Sequence, residues 1–215
     1  VERCKKLGVE VSLATAMMKE NCRQIDQLTG LARSLDVNLR INTYKPVNTF
    51  KHKMTYEEFW DGIRLLLGTS SLISCSEPIV NARIGNKTLD GGSPCGKISL
   101  RINPDGGVVP CVYWKESRAT IEDLVDMRKS SSDENFTTYV RKLSEETRII
   151  PTQCNECDHL DACKGGCASA RYYNDLTQPD PYCFVQRNDY PDLTWSWAPS
   201  KSLVHSSYLC TIIVK

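Results

Sequence analysis

The chain has 215 residues, with 27 Lys and Arg against 26 Asp and Glu for a formal net charge of +1. Without a sustained basic block, that near-balance argues against nucleic acid or an anionic membrane as partner. No charged-apolar-small leader opens the sequence, and no apolar run approaches the roughly 18 residues that a membrane span needs, so a cytoplasmic location is expected.

In chain order, Val9 to Ala16 reads as a buried strand. A helix follows, with Asn21 and Gln24 as a capping signal and Ile25, Leu28, Ala32 and Leu35 on one face. Asn38 to Thr43 is a second strand, ended by Pro46. Thr55-x-x-Glu58 then has the form of a capping box before a helix carrying Phe59, Ile63, Leu66 and Leu67, and Leu72 to Ser74 offers a third strand. Strands alternating with helices of this length predict an α/β arrangement with a parallel sheet.

Beyond residue 90 the pattern changes. Ile98, Leu100 and Ile102 alternate with polar neighbours, and Val108 and Val109 resume after Asn103-Pro-Asp-Gly-Gly. Pro104 presets one turn dihedral and Gly106 or Gly107 supplies a positive one, so a β-hairpin is predicted that brings Cys95 and Cys111 to the same end. Thr120-x-x-Asp123 caps a polar helix with Leu124, Val125 and Met127, Ser130 to Asp133 breaks it, and Phe136, Val140 and Leu143 mark a second.

Seven of the eleven cysteines fall into one spacing: Cys95, Cys111, Cys154-x2-Cys157-x5-Cys163-x3-Cys167, and Cys183. An odd count in a chain of this length does not suit a secreted disulfide scaffold. Thiolates at such density select zinc or iron–sulfur clusters. For zinc, the Cys154-x2-Cys157 knuckle is suitable and His159 supplies a possible nitrogen donor, although His159 reads better as a solvated loop residue. The x5 and x3 gaps let one loop wrap a bulkier cubane instead. Gly165-Gly166 fit either a close backbone approach to a cluster or a plain tight turn.

The full pattern resembles the SPASM domain, the C-terminal extension of many radical S-adenosylmethionine (SAM) enzymes, with Gly106-x4-Cys111 as a further matching element; it covers residues 90–187. The resemblance implies two auxiliary [4Fe–4S] clusters with interleaved ligands. Cys95, Cys111 and Cys167 would hold the first, and Cys154, Cys157, Cys163 and Cys183 the second. Where such enzymes have a further cysteine six residues before the first, this chain has Leu89. Either Cys75 completes the first cluster, or an iron stays open to substrate or a small ligand.

The same resemblance reads residues 1–89 as the last strands and helices of a partial (β/α) TIM-like barrel, followed by a small α+β cysteine-rich domain with a hairpin and by a tail at 188–215. In such a barrel Leu39 and Ile41 face the helices, while Arg40, Asn42 and Tyr44, with Ser12 on the earlier strand, point inward to line the SAM pocket; Arg40 would pair with the methionine carboxylate. The Cys-x3-Cys-x2-Cys triplet of SAM cleavage is not in the chain, and residue 1 is Val. The expectation is a C-terminal fragment of a longer enzyme, or a protein that has lost the radical chemistry. SAM would then serve only the full-length protein. A peptide or protein substrate and an electron donor such as ferredoxin or flavodoxin are the partners implied. Tyr113-Trp114 and Trp195-x-Trp197 are aromatic pairs suited to flanking a peptide or shielding a cluster. A zinc-binding interaction module and a ferredoxin-like electron carrier are the alternatives.

Overall fold

The computed structural model describes residues 1–86, 91–96, 100–173, 175–199 and 210–215. A short helix α1 (Glu2–Lys6) precedes strand β1 (Ser12–Met17), helix α2 (Ile25–Ser34), β2 (Asn38–Thr43), α3 (Tyr56–Thr69), β3 (Leu72–Cys75) and α4 (Pro78–Arg83). The first two strands pair in parallel, Ser12 opposite Asn38 through Met17 opposite Thr43. Strand β1 starts later than its apolar run suggests. It lies at one end of the sheet, and Val9 ahead of it is exposed, because β1 has a sheet neighbour on one side only among the described strands.

Helix formation follows local chemistry. The Thr55 hydroxyl accepts the Glu58 amide while the Glu58 carboxylate accepts the Thr55 amide, which satisfies two of the donors left over at a helix start. Phe59, Trp60, Ile63, Leu66 and Leu67 of α3 are then buried against Ile25 and Ala32 of α2 and against Leu39 and Ile41 of β2. At about 1.5–3 kcal/mol per buried side chain that face contributes roughly 10 kcal/mol, against about 1 kcal/mol for the cap. Burial therefore makes the helix and the cap sets where it begins. Thr55→Ala is expected to lower unfolding stability by about 1 kcal/mol and Thr55→Ser by far less, as read from denaturation midpoints. At α2 Asn21 does something other than capping: it accepts the Met18 amide and donates to the Ala16 carbonyl, tying the end of β1 to the turn.

In the cysteine-rich half, β4 (Arg101–Ile102) and β5 (Gly107–Val109) pair antiparallel, Arg101 opposite Val109 and Ile102 opposite Val108. Gly106 has φ +84° and donates to the Asn103 carbonyl in the turn between them. Strand β6 (Ala119–Thr120) adds to β5. Val108 and Val109 are buried but Ile102 is exposed, and Ile98 and Leu89 lie outside the described residues. Helices α5 (Ile121–Ser130) and α6 (Asp133–Lys142) follow, with a capping box at Thr120 and a Ser132 cap; neither has a fully buried residue. Three short helices, α7 (Leu160–Cys163), α8 (Ala168–Tyr172) and α9 (Phe184–Arg187), carry the cysteine loop.

The chain then returns to the first sheet. Residues 188–215, set apart as a tail by the sequence pattern, supply β7 (Thr211–Val214), which lies antiparallel between β2 and β3 in the order β1-β2-β7-β3. Strands β2 and β3 are thus not direct neighbours. Because β7 runs the opposite way, its start meets the C-terminal ends of β2 and β3: Thr211 sits opposite Asn42 and accepts from the Ser76 amide at 2.8 Å. No helix among the described residues is long and apolar enough to cross a membrane.

Candidate metal centre

All eleven cysteines are free thiols, and eight of them form two groups. The first group assembles Cys95, Cys111 just beyond β5, Cys167 at the start of α8 and Cys210 immediately before β7. The Cys95 thiol hydrogen-bonds with those of Cys111 and Cys210, and Cys210 also bonds Cys167. All four are nearly fully buried, at 3%, 2%, 1% and 6% exposure. The Ser169 hydroxyl lies 3.1 Å from Cys111 Sγ. Four buried thiols at this separation cannot all ionise unaided. Hydrogen bonds from Cys111 and Cys210 hold Cys95 well below the usual thiol range; the bond to Cys95 pushes Cys111 well above it, and the bonds to Cys167 and then Cys95 do the same to Cys210.

The second group comprises Cys154, Cys157, Cys163 and Cys183, which line one pocket with Ile79, Leu160, Pro179 and Phe184. Backbone bonds from Cys157 to Cys154 (3.1 Å) and from Cys163 to His159 (2.9 Å) coil the loop so that its thiols converge. The amides of Val185 and Gln186, at the start of α9, bond Cys183. Burial, foremost, raises Cys154, Cys163 and Cys183. His159 borders this pocket with its ring edge-on to Phe184 at 5.0 Å.

Cys163 and Cys167 are four residues apart yet join different groups. Lys164, Gly165 and Gly166 all have positive φ (49°, 83° and 93°), which swings the chain round between them. A Cβ on Gly166 would sit 2.3 Å from that of Asp180, so these glycines serve the turn and its close packing. Asp180 in turn accepts the Cys167 amide at 3.0 Å and the Tyr182 amide at 3.0 Å.

Two buried cations flank the thiols. Lys45 bonds the Glu77 carboxylate at 3.0 Å and also the Thr43 hydroxyl, which itself donates to Glu77 at 2.7 Å; both side chains of the ion pair are 1% exposed. Burial pulls the Lys45 ammonium down, but Cys167, Glu77, Cys210 and Asp180 outweigh it and hold it well above its ordinary value. Arg171 is 1% exposed, donates to the Ile149 carbonyl at 2.9 Å, and feels Asp180, Cys167, Cys154 and Cys163. Its Nε has no hydrogen-bond partner among the described residues. The same holds for Nε1 of Trp114, which packs with Cys95 and Cys111 and stacks on Tyr172 at 4.0 Å.

Those features fit an anionic thiolate-bound cluster: soft donors in fours, buried positive charge beside them, and unpaired N–H groups available to sulfur.

Among the remaining expected site residues, Leu39 and Ile41 are in the helix-side core, while Arg40 and Asn42 are half-buried on the opposite face of β2. Asn42 accepts from the Thr211 hydroxyl at 2.7 Å, and the Tyr44 hydroxyl donates to the Thr49 carbonyl at 2.8 Å. A cleft at the C-terminal ends of β1 and β2 is lined by Ala16, Thr43, Tyr44, Lys45, Asn48 and Tyr113. Tyr44 thus faces this cleft, whereas Ser12 is exposed at the opposite end of β1. Cys75 is buried in the main apolar core, its thiol 3.8 Å from the Glu77 carbonyl. Trp195 and Trp197 are exposed, at 37% and 51%. Cys210 and Lys45 are the residues that the spacing pattern missed. Cys210 stands outside the motif, and Lys45 lies two residues past the end of β2, beyond the reach of strand alternation.

In its α/β sheet joined to a cysteine-rich unit, the chain is similar to the C-terminal, SPASM-bearing portion of radical SAM enzymes. Mycofactocin maturase MftC of Mycobacterium tuberculosis is 27% identical over 208 residues, 86% of this chain and 49% of that protein. The MftC of Mycolicibacterium smegmatis is 22% identical over 191 residues, 81% and 47% of the two chains. The chain spans about half the length of the curated relatives it matches. Among solved structures, native anSMEcpe with bound AdoMet superposes with a TM-score of 0.59 at 15% identity, over 86% of this chain and 55% of that one, which establishes the shared fold. The form with bound AdoMet and Cp18Cys peptide gives 0.56 at 16% identity, over 86% and 56%. No protein-family model matches the chain.

Proposed function

We propose that these residues hold two auxiliary [4Fe–4S] clusters within a cytoplasmic radical SAM/SPASM enzyme that modifies a peptide or protein substrate. The observation that carries this reading is the sorting of eight thiols into two separate groups of four. Clusters of this kind accept and relay single electrons. Lys45 and Arg171 would offset their negative charge, Trp114 and Ser169 would donate to sulfur, and the hairpin and the Lys164–Gly166 turn would fix ligand positions. Strands β1, β2 and β3, running the same way under α2 and α3, form the end of a partial (β/α) barrel. Its cleft at Tyr44, Lys45 and Tyr113 faces SAM and substrate, with Arg40 and Asn42 on the inward surface; a small electron donor such as ferredoxin or flavodoxin completes the cycle. The peptide class draws on relatives named as maturases and on a structural neighbour holding a peptide.

A second reading, two Cys4 zinc sites, draws on the close thiol contacts of the first group. Anaerobic reconstitution with iron, sulfide and zinc all present separates the two. About eight irons and eight labile sulfides per chain, with broad visible absorption, are expected. A colourless protein with one or two zincs would overturn the cluster assignment.

A further inference from the structure

Resting on that two-cluster reading, we infer that Cys210 is the fourth thiolate of the first cluster and closes it to outside ligands. Three thiols of this group belong to the spaced motif, and the spacing alone leaves the fourth position to Cys75 or to no protein ligand. In the folded chain Cys210 Sγ lies within 4.8 Å of both Cys167 Sγ and a Glu77 carboxylate oxygen, and it bonds Cys95 as well. It is buried with Cys167 and Ala170. Cys75 bonds only the Glu77 carbonyl among the described contacts of its thiol and sits in the sheet core.

The position of Cys210 is set by strand register. Thr211 pairs with Asn42, and Ile212 with both Ile41 and Cys75, so the residue before them must emerge where β2 and β3 end, beside Thr43 and Glu77. A slip of one residue would turn β7 over and carry the thiol away. Glu77, the carboxylate within reach of Cys210 and Cys167, already receives hydrogen bonds from Lys45 and Thr43. It therefore serves as counter-ion to Lys45 rather than as iron ligand. On binding, the Cys210 thiol gives up its proton and forms the fourth iron–sulfur bond. The first cluster then has no iron free to anchor substrate, and electron relay is its role.

The test uses the full reconstituted chain, mild ferricyanide oxidation and carbon-13 cyanide as probe, with iron counts and electron paramagnetic resonance as readouts. Wild type is expected to keep about eight irons, form no [3Fe–4S] centre and show no cyanide coupling. Cys210→Ala is expected to lose about one iron on oxidation, yield about one [3Fe–4S] centre per chain, and bind cyanide when reduced. Glu77→Gln breaks the buried ion pair and is expected to cost stability, but it should form no [3Fe–4S] centre and bind no cyanide. Cyanide coupling in wild type overturns the inference without any variant, so a poorly folding mutant does not shelter it. A Cys210→Ala protein indistinguishable from wild type, or an iron opened by Glu77→Gln instead, also overturns it. Wild type with about four irons, or with zinc, brings down the two-cluster reading itself and the inference with it.

Discussion

Lys45→Met is expected to destabilise the protein by about 3–5 kcal/mol, because it leaves the Glu77 carboxylate buried with its cation gone. For a chain of this size that is a fall of roughly 10 °C in melting temperature, compared at equal cluster loading. The double variant Lys45→Met/Glu77→Leu should recover most of the loss, since two apolar side chains of similar volume remove both desolvated charges. Thermal melts of the three proteins decide the matter. A single variant as stable as wild type, or a double no better than the single, would sink this account of the pair.

Cys163→Ser is expected to halve the bound metal, from about eight irons to about four, and to spare the first cluster. Cys163 belongs to the pocket with Cys154, Cys157 and Cys183, while its near neighbour Cys167 faces the other group. Cys4, exposed near the chain start and outside both groups, provides the control: Cys4→Ser should leave iron unchanged. Iron and labile sulfide per chain are the measurement. Full retention of iron by Cys163→Ser would refute the division of ligands proposed above.

What sequence reveals here is mostly what is local. The capping boxes at Thr55 and Thr120 and the turn at Asn103 to Gly107 each close within a few residues, so residue type and spacing were enough to place them. Alternation along β2 likewise sorted Leu39 and Ile41 from Arg40 and Asn42. Strand β7 had no such signal. It is a four-residue apolar run whose partner on β2 is 169 residues away, and no periodicity reports on a contact at that range. Cys210 was hidden for the same reason, being adjacent to that strand rather than to the other cysteines. Lys45 was hidden by a change of environment: two residues past the sheet the helix-side layer stops being apolar and becomes the wall of the thiol group. The split between Cys163 and Cys167 entered the sequence reading only through the family resemblance, and its physical basis is the three successive left-handed residues between them.

The return of the chain into its first sheet also orders events during synthesis. Strands β1, β2 and β3 leave the ribosome well before β7, so the gap between β2 and β3 cannot be filled until Thr211 to Val214 have been made. Up to that point the facing edges of those two strands have only water or a chaperone to bond, and the thiols of Cys95, Cys111 and Cys167 stand without their neighbour. If the first group holds a cluster as proposed, its set of four thiols is complete only once Cys210 has been made, so loading of that centre waits for translation through β7.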